Sequence, residues 1–556
     1  MVRKVIKSLL IALGALVALV VLVFVALYIP PVQDFAVRFA TEKVAESTGM
    51  HISAEKLRLK FPLRLNVSRL CIIQENGDTM LTAASADTKV KLMPLLKSRI
   101  EIEGFSLDSA FYQMGNRDSV MWLRAFIDRA DIGTTDFGLK SGHINLSHTV
   151  IDGADISMRM LEDTVSKTPV DTASVPYIIK SKEILLKRIT YRMSMEGLID
   201  SLGCYVGDAR LSDALIDLPN SVIHGKSLSI DSVDAAYLYP APTENSDLEK
   251  APVAEDTTST TPFTITADTL RLTAKSGLYA QSGVSPVNGF DPAYISVKDV
   301  DIEIDNFYNR QVSIKVPVKK LRAIERCGVE LSANGLFEMD SISMRASDFE
   351  IRTLYSQLFF NASMGMGDLS TDPTVPISLK ANGAVDPADI ALAFPDMAAM
   401  LKPFTPLALT ADIEGSPERL DIYDFNVAMD KVLRLKAEGQ ASNIMDPDKM
   451  GVDLGLTGWL NTLSDKQFSF LPIPSVPEMT LRGDVSYVPG KAQGGLSVRT
   501  RGGQLTADAN WTARSEGYDA TVQLDRFPVD AFMADLGVGD VTGKFRVNGH
   551  GYDPLS

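Results

Sequence analysis

Three stretches of the sequence gather residue types that could do chemistry. "GVGDVTGK", residues 537 to 544, has the glycines and the lysine of a phosphate-cradling loop. Five residues separate Gly537 from Gly543 where that loop has four, and Phe545 stands where a magnesium-binding Ser or Thr belongs, so a turn before a strand is expected. "DVDIEID", 299 to 305, spaces Asp299, Asp301, Glu303 and Asp305 as a calcium ladder could. Val300, Ile302 and Ile304 continue a strand between them, which predicts a solvated acidic strand face instead. His143 and His148 in "GHINLSH" fall on opposite faces of a regular strand, with no cysteine beside them, and do not make a metal pair. No G-x-S-x-G elbow, H-E-x-x-H helix or C-x-x-C pair occurs. The expectation is a protein that is not an enzyme, with no cofactor and no metal.

The balance of charge narrows the partners. Asp and Glu number 70 against 55 Lys and Arg, for a formal charge of −15, and Arg3, Lys4 and Lys7 all precede the first hydrophobic run. A body that acidic should not seek nucleic acid. Cys71, Cys204 and Cys327 are too far apart for metal-ligand spacing and odd in number, so they read as small buried apolar residues.

The elements that would position any site begin with "LRLKFPLRLNV", 57 to 67. Leu57, Leu59, Phe61, Leu63, Leu65 and Val67 occupy every odd position, which predicts one long strand with an oily face. Pro62 lacks a ladder donor and places that strand at a sheet edge. Arg58, Lys60 and Arg64 on the wet face are candidates for anionic headgroups or for plain solvation. Strands are also predicted at 89 to 93, 99 to 114, 294 to 307 and 310 to 318, with a bulge at Gly104 that moves the apolar row from Ile100 and Ile102 to Phe105, Leu107 and Phe111. Short helices are predicted at 119 to 133, 387 to 401 and 528 to 537. Two stretches rich in Pro, Thr, Ser and acid, 162 to 176 and 240 to 262, read as mobile surface loops. Pro-rich "FLPIPSVP" (470 to 477) separates two strand-rich segments, and apolar-x-apolar-x-Gly units recur from 409 to the end, as strands stacked on their neighbours would require.

Residues 1 to 7 form a basic tail, and 8 to 29 are an uncharged run long enough to cross a bilayer core. Pro30 and Pro31 follow it with no small-residue cleavage site, so an uncleaved anchor is expected, its tail cytoplasmic and its body on the far side. Val32, Phe35, Phe39 and Val44 predict a short amphipathic helix within 30 to 50. The remainder, 51 to 556, is the β-rich region.

The anchor, the helix beginning "YIPPVQDF", "STGMHISAEKLRLKFPLRLNV" and the closing "DVTGKFRVNGHGYDP" together resemble the TamB branch of the AsmA-like, bridge-like lipid transfer family. The resemblance implies a mainly β fold, an elongated stacked antiparallel sheet folded into an apolar trough, or β-taco, after one N-terminal transmembrane helix. It implies a conduit anchored in the inner membrane, its body in the periplasm, moving phospholipid between inner and outer membranes in outer-membrane biogenesis. The alternative it carries is a translocation and assembly factor for outer-membrane β-barrel or secreted proteins, templating nascent strands on an open sheet edge. Its implied partners are phospholipid, the inner membrane and an outer-membrane barrel protein of the BamA/TamA type. The family's partner-binding C-terminal domain is not recognisable, and the chain reads as an N-terminal portion. Candidate lipid-facing residues are Leu57, Leu59, Phe61, Leu63, Leu65, Val67, Val297 and Ile314.

Overall fold

The computed structural model describes residues 51–60, 64–74, 77–90, 102–115, 119–138, 142–161, 177–241, 262–367, 369, 372–401, 404–461, 477–513, 517–532 and 537–550. The expected anchor and amphipathic helix lie outside these, as do 162–176 and most of 240–262. No helix among the described residues is long and apolar enough to cross a membrane.

The chain divides into two compact units, Met1–Ser285 and Pro286–Ser556. The first carries β1 (His51–Ser53), β2 (Lys56–Lys60), β3 (Arg64–Ile73), β4 (Thr79–Val90), β5 (Ile102–Met114), β6 (Met121–Gly138), β7 (His143–Met160), β8 (Ile178–Met195), β9 (Ile199–Asp217), β10 (Val222–Tyr239) and β11 (Thr264–Gln281). From β3 onward each strand pairs with the next, and β1 and β2 both pair with β3. All the ladders are antiparallel except β7 with β8 and β10 with β11. The second unit is an antiparallel meander of β12 (Tyr294–Arg310), β13 (Ser313–Glu325), β14 (Glu330–Met339), β15 (Ser343–Arg352), β16 (Gln357–Gly365), β17 (Ile377–Val385), β18 (Leu407–Gly415), β19 (Arg419–Met429), β20 (Leu433–Ser442), β21 (Gly451–Leu460), β22 (Met479–Val488), β23 (Lys491–Thr500), β24 (Gln504–Thr512), β25 (Gly517–Pro528) and β26 (Asp540–His550). Among the described residues no pairing closes either run on itself.

The opening alternation is a hairpin and not one strand. β2 and β3 pair with Lys60 opposite Arg64, Leu59 opposite Leu65 and Leu57 opposite Val67. That register sets odd residues against odd, so the oily row survives the reversal and the pattern reads as if unbroken. Phe61, Pro62 and Leu63 lie outside the described residues. Arg64 is tied to Asp87 at 3.0 Å, which answers its charge within the sheet.

Residues 119 to 133, expected as helix, belong mostly to β6. Trp122 and Phe126, like Leu123 and Ile127, are four apart, a spacing that helix and strand both place on one face. Register decides it: Phe126 pairs with Phe111, and the Arg124 guanidinium stacks 5.3 Å from the Phe111 ring and 5.5 Å from that of Trp122. At 387 to 401 helix does form, as α1 (Pro387–Ala393) and α2 (Ala398–Leu401), while among the described residues of 528 to 537 there is a 3-10 turn at Val529–Ala531. Asp386 caps α1, accepting from the Ala388 N–H at 2.8 Å. The buried Asp389 carboxylate accepts from Thr353 and Ser356, pinning α1 to the β15–β16 turn.

The two parallel ladders bear on the long polar stretches. His143 pairs with Ile178 and Met160 with Met195, so the chain between Met160 and Ile178 must return the length of an 18-residue strand. A straight strand of that length spans about 56 Å, and bending shortens it. Between Tyr239 and Thr264 the chain has about seven more residues for a return of similar length. Deleting eight residues from 162–176 is therefore expected to destroy the β7–β8 ladder. The same deletion within 242–261 should leave β10–β11 intact, with amide exchange in β8 and β11 as the measurement. Equal protection after both deletions would show that neither stretch is under a length constraint.

Candidate functional site

What the sheets lack is a closed core. Among the described residues ten of the fourteen buried apolar residues are alanine, none is leucine or isoleucine, and most of the long apolar side chains along the strands stay half-buried. An ordinary domain places Ile, Leu and Phe foremost among its fully buried residues.

The half-buried side chains and these small buried ones together form continuous rows. In the first unit Leu70, Ala83, Ala110, Ile127, Ala154, Ile189, Val206, Val233 and Ala274 are successive register partners across β3 to β11. On the other side of a line crossing the same strands, Val67, Ala86, Leu107, Ala130, Ile151, Leu186, Ala209, Ile230 and Leu272 do the same. Every position in both rows is apolar, yet within each strand from β3 to β10 the two rows are three residues apart, which in a plain strand means opposite faces; on β11, which lacks the extra residue, they are two apart.

Backbone conformation resolves this. Between the rows lie Arg69, Ser109, Gly153, Arg188 and Ser232, all with φ between 48° and 72°. A left-handed residue in a strand interrupts the alternation and bends the chain, so apolar positions on both sides return to one face. Ala83, Ala110 and Ala154 on one side of the line, and Ala86, Ala130 and Ala209 on the other, are buried. Side chains converge inside a bend, and there the alanines are buried while the Ile and Leu that alternate with them in the same rows stay half-buried. On the outer surface Arg188 bonds Asp152 at 2.8 Å and reaches Asp128 at 3.5 Å, and that pairing holds the guanidinium above its ordinary pKa. A second bend, at Asp213 (φ 48°), leads to a row made of Ile144, Ile179, Ile216, Ile223 and Ile265.

The bulge expected at Gly104 is present, with a register shift between Lys89 and Val90 opposite it. The bend at Ser109 went unforeseen. It takes the apolar row from Phe105 and Leu107 to Ala110, Tyr112 and Met114, and leaves Phe111 on the opposite face.

The second unit repeats the arrangement. Leu409, Val427, Leu435, Gly458, Leu481 and Val498 are partners across β18 to β23, and parallel rows, apolar but for Thr500 on β23, flank them. On β20 the exposed Arg434, Lys436 and Glu438 alternate with half-buried Leu433, Leu435 and Ala437. Lys436 lies 3.3 Å from Glu438 and 3.5 Å from Asp424, which raises its pKa. Near this face Lys436, Thr457, Arg482, Asp484, Ser497 and Asp508 contribute to the lining of an open depression of about 610 Å³.

The candidate lipid-facing residues divide accordingly. Leu59, Leu65 and Val67 share one face of the β2–β3 hairpin, and Leu57 occupies the register position opposite Val67. Ile314 joins the row of Met339, Met344 and Met364, whereas Val297 sits opposite Glu325 at the end of the β12–β13 ladder. The acidic strand is answered by its neighbour: Asp301 pairs with Lys320, and Lys319 lies 3.7 Å from Glu303 and 4.0 Å from Asp305. Residues 540 to 550 of the phosphate-loop lookalike and its sequel are strand, as expected. Among the described residues no group of three His, Cys, Asp or Glu is placed to hold a metal ion. All three cysteines are free and half-buried; Cys204 lies on the apolar side opposite Tyr191, and burial pushes its thiol up. Compared with protein-family models, with curated proteins and with solved structures, the chain matches none.

Proposed function

We propose that the chain is a non-enzymatic lipid conduit, in which each sheet bends lengthwise into a trough whose apolar rows carry phospholipid acyl chains. The observation that carries this reading is the predominantly apolar face, row upon row across successive strands with only scattered threonines such as Thr88 and Thr149 in it, and with no second layer of described structure covering it. An acyl chain moved onto that face leaves water at a gain of about 0.8 kcal/mol per CH₂. Because successive rows are chemically alike, the chain meets no deep trap as it slides, and no covalent step is needed.

In this proposal residues 8 to 29 anchor the protein in the inner membrane and the body occupies the periplasm, as in the TamB-like branch of the AsmA-like family. An outer-membrane barrel protein would receive the lipid.

Photo-crosslinkers placed at Leu59, Leu65, Ile314 and Leu435 in the full chain are expected to capture phospholipid. Crosslinkers at Arg434 and Lys436 should capture none. Mass spectrometry of the adducts reads the outcome. Equal labelling of both faces would remove the case for a one-sided lining, and capture of barrel protein without lipid would favour the assembly factor.

A further inference from the structure

Methionines gather twice on the apolar face: Met339, Met344 and Met364 stand in single file across β14 to β16, and a denser group lies in the first unit. Met158 pairs with Met193 and Met160 with Met195 across the parallel β7–β8 ladder, and Met121 on β6 pairs with Met160. Of the six positions that β6, β7 and β8 present there, only Leu123 is not methionine. Cross-strand neighbours are about 4.8 Å apart and alternate residues about 6.6 Å, so the four β7 and β8 positions form a compact square on one face. None of the five methionines is fully buried, and Met121 is 40% exposed. Met193 sulfur already accepts a hydrogen bond from the Tyr191 hydroxyl at 3.2 Å, so its lone pairs point to a polar group and not only into packing.

A bland apolar lining does not require this composition, since the corresponding row at the far end of the same strands is built from isoleucine. Thioethers are neutral soft donors on long flexible stems. They suit monovalent soft cations and discriminate against calcium, magnesium and zinc, which want oxygen, imidazole or thiolate. The arrangement points to a binding site for a soft monovalent metal ion, copper(I) or silver(I), held by thioethers of Met158, Met160, Met193 and Met195; we propose this as a second property of the sheet, independent of lipid carriage.

Silver(I), which is not redox-active under these conditions, serves as the probe. In full chain carrying Cys71→Ser, Cys204→Ser and Cys327→Ser, so that no thiol can account for uptake, titration calorimetry in chloride-free buffer is expected to show one saturable silver ion per chain. Adding Met158→Leu and Met193→Leu should weaken binding at least tenfold, while the exposed Met366→Leu and Met445→Leu pair leaves it unchanged. Methionine-methyl NMR of the thiol-free protein reads the same site with every thioether in place: silver should move the methyl signals of the square and spare those of Met366 and Met445. Absence of saturable uptake, equal loss in both double variants, or shifts spread over the exposed methionines would overturn the site.

Discussion

Leu435→Asp is expected to abolish lipid transfer, by more than tenfold, while costing the fold only about 1–2 kcal/mol, the lower range for an unpaired polar group with partial access to water. The two effects separate because Leu435 lies in the middle of an apolar row but is only half-buried, flanked in register by Val427 and Gly458. A carboxylate there keeps part of its hydration, so the strand can still pair. An acyl chain arriving at that row would have to displace the water, and the charge blocks it. Arg434→Asp, one residue away on the exposed face, should leave transfer intact. Transfer between donor and acceptor vesicles and urea denaturation give the two readouts. If Leu435→Asp unfolds the protein outright, the row belongs to a closed core and the trough is wrong. If transfer continues unchanged, the lining is not the path.

The class of fold was legible because alternation survives almost everything the chain does. It survived the β2–β3 hairpin, whose even-sum register keeps Leu59 opposite Leu65, and for that reason the turn itself was invisible. What alternation conceals is any step that breaks it. Residues Phe105 to Met114 change parity at Ser109, an ordinary residue in a left-handed conformation, and nothing in its type announces that. Gly153 at the equivalent point of β7 is a better signal, but Arg69, Arg188 and Ser232 show that the bend is imposed by the sheet and not by local propensity. β6 was misread for a related reason, since apolar residues on both of its faces at four-residue spacing fit a helix equally well. The methionine square could not be seen at all: Met158 and Met193 are distant in sequence, and only the parallel β7–β8 register makes them neighbours.

The bends also make a prediction that needs no ligand. Gly153 and Gly197 have nearly the same left-handed backbone, with φ of +72° and +76°. A methyl group on either incurs the left-handed penalty of roughly 1–2 kcal/mol. At Gly197 nothing else opposes it, because no atom lies within 4 Å of the added carbon. At Gly153 the new carbon would lie 2.1 Å from Asp128 Oδ2 and 2.9 Å from its Cβ. Asp128 cannot simply swing clear: its own Cβ is too close, and Arg188 engages its carboxylate on the outer surface. Relief requires β6 and β7 to separate at the bend, an overpacking cost of about 1–3 kcal/mol on top of the backbone term. Gly153→Ala is thus expected to destabilise by about 2–5 kcal/mol where Gly197→Ala costs about 1–2 kcal/mol. Both follow from denaturation midpoints measured on the same full chain. Equal losses at the two sites would mean that β6 and β7 do not approach at Gly153. The line from Arg69 to Ser232 would then not be the bend that brings both apolar rows to one face.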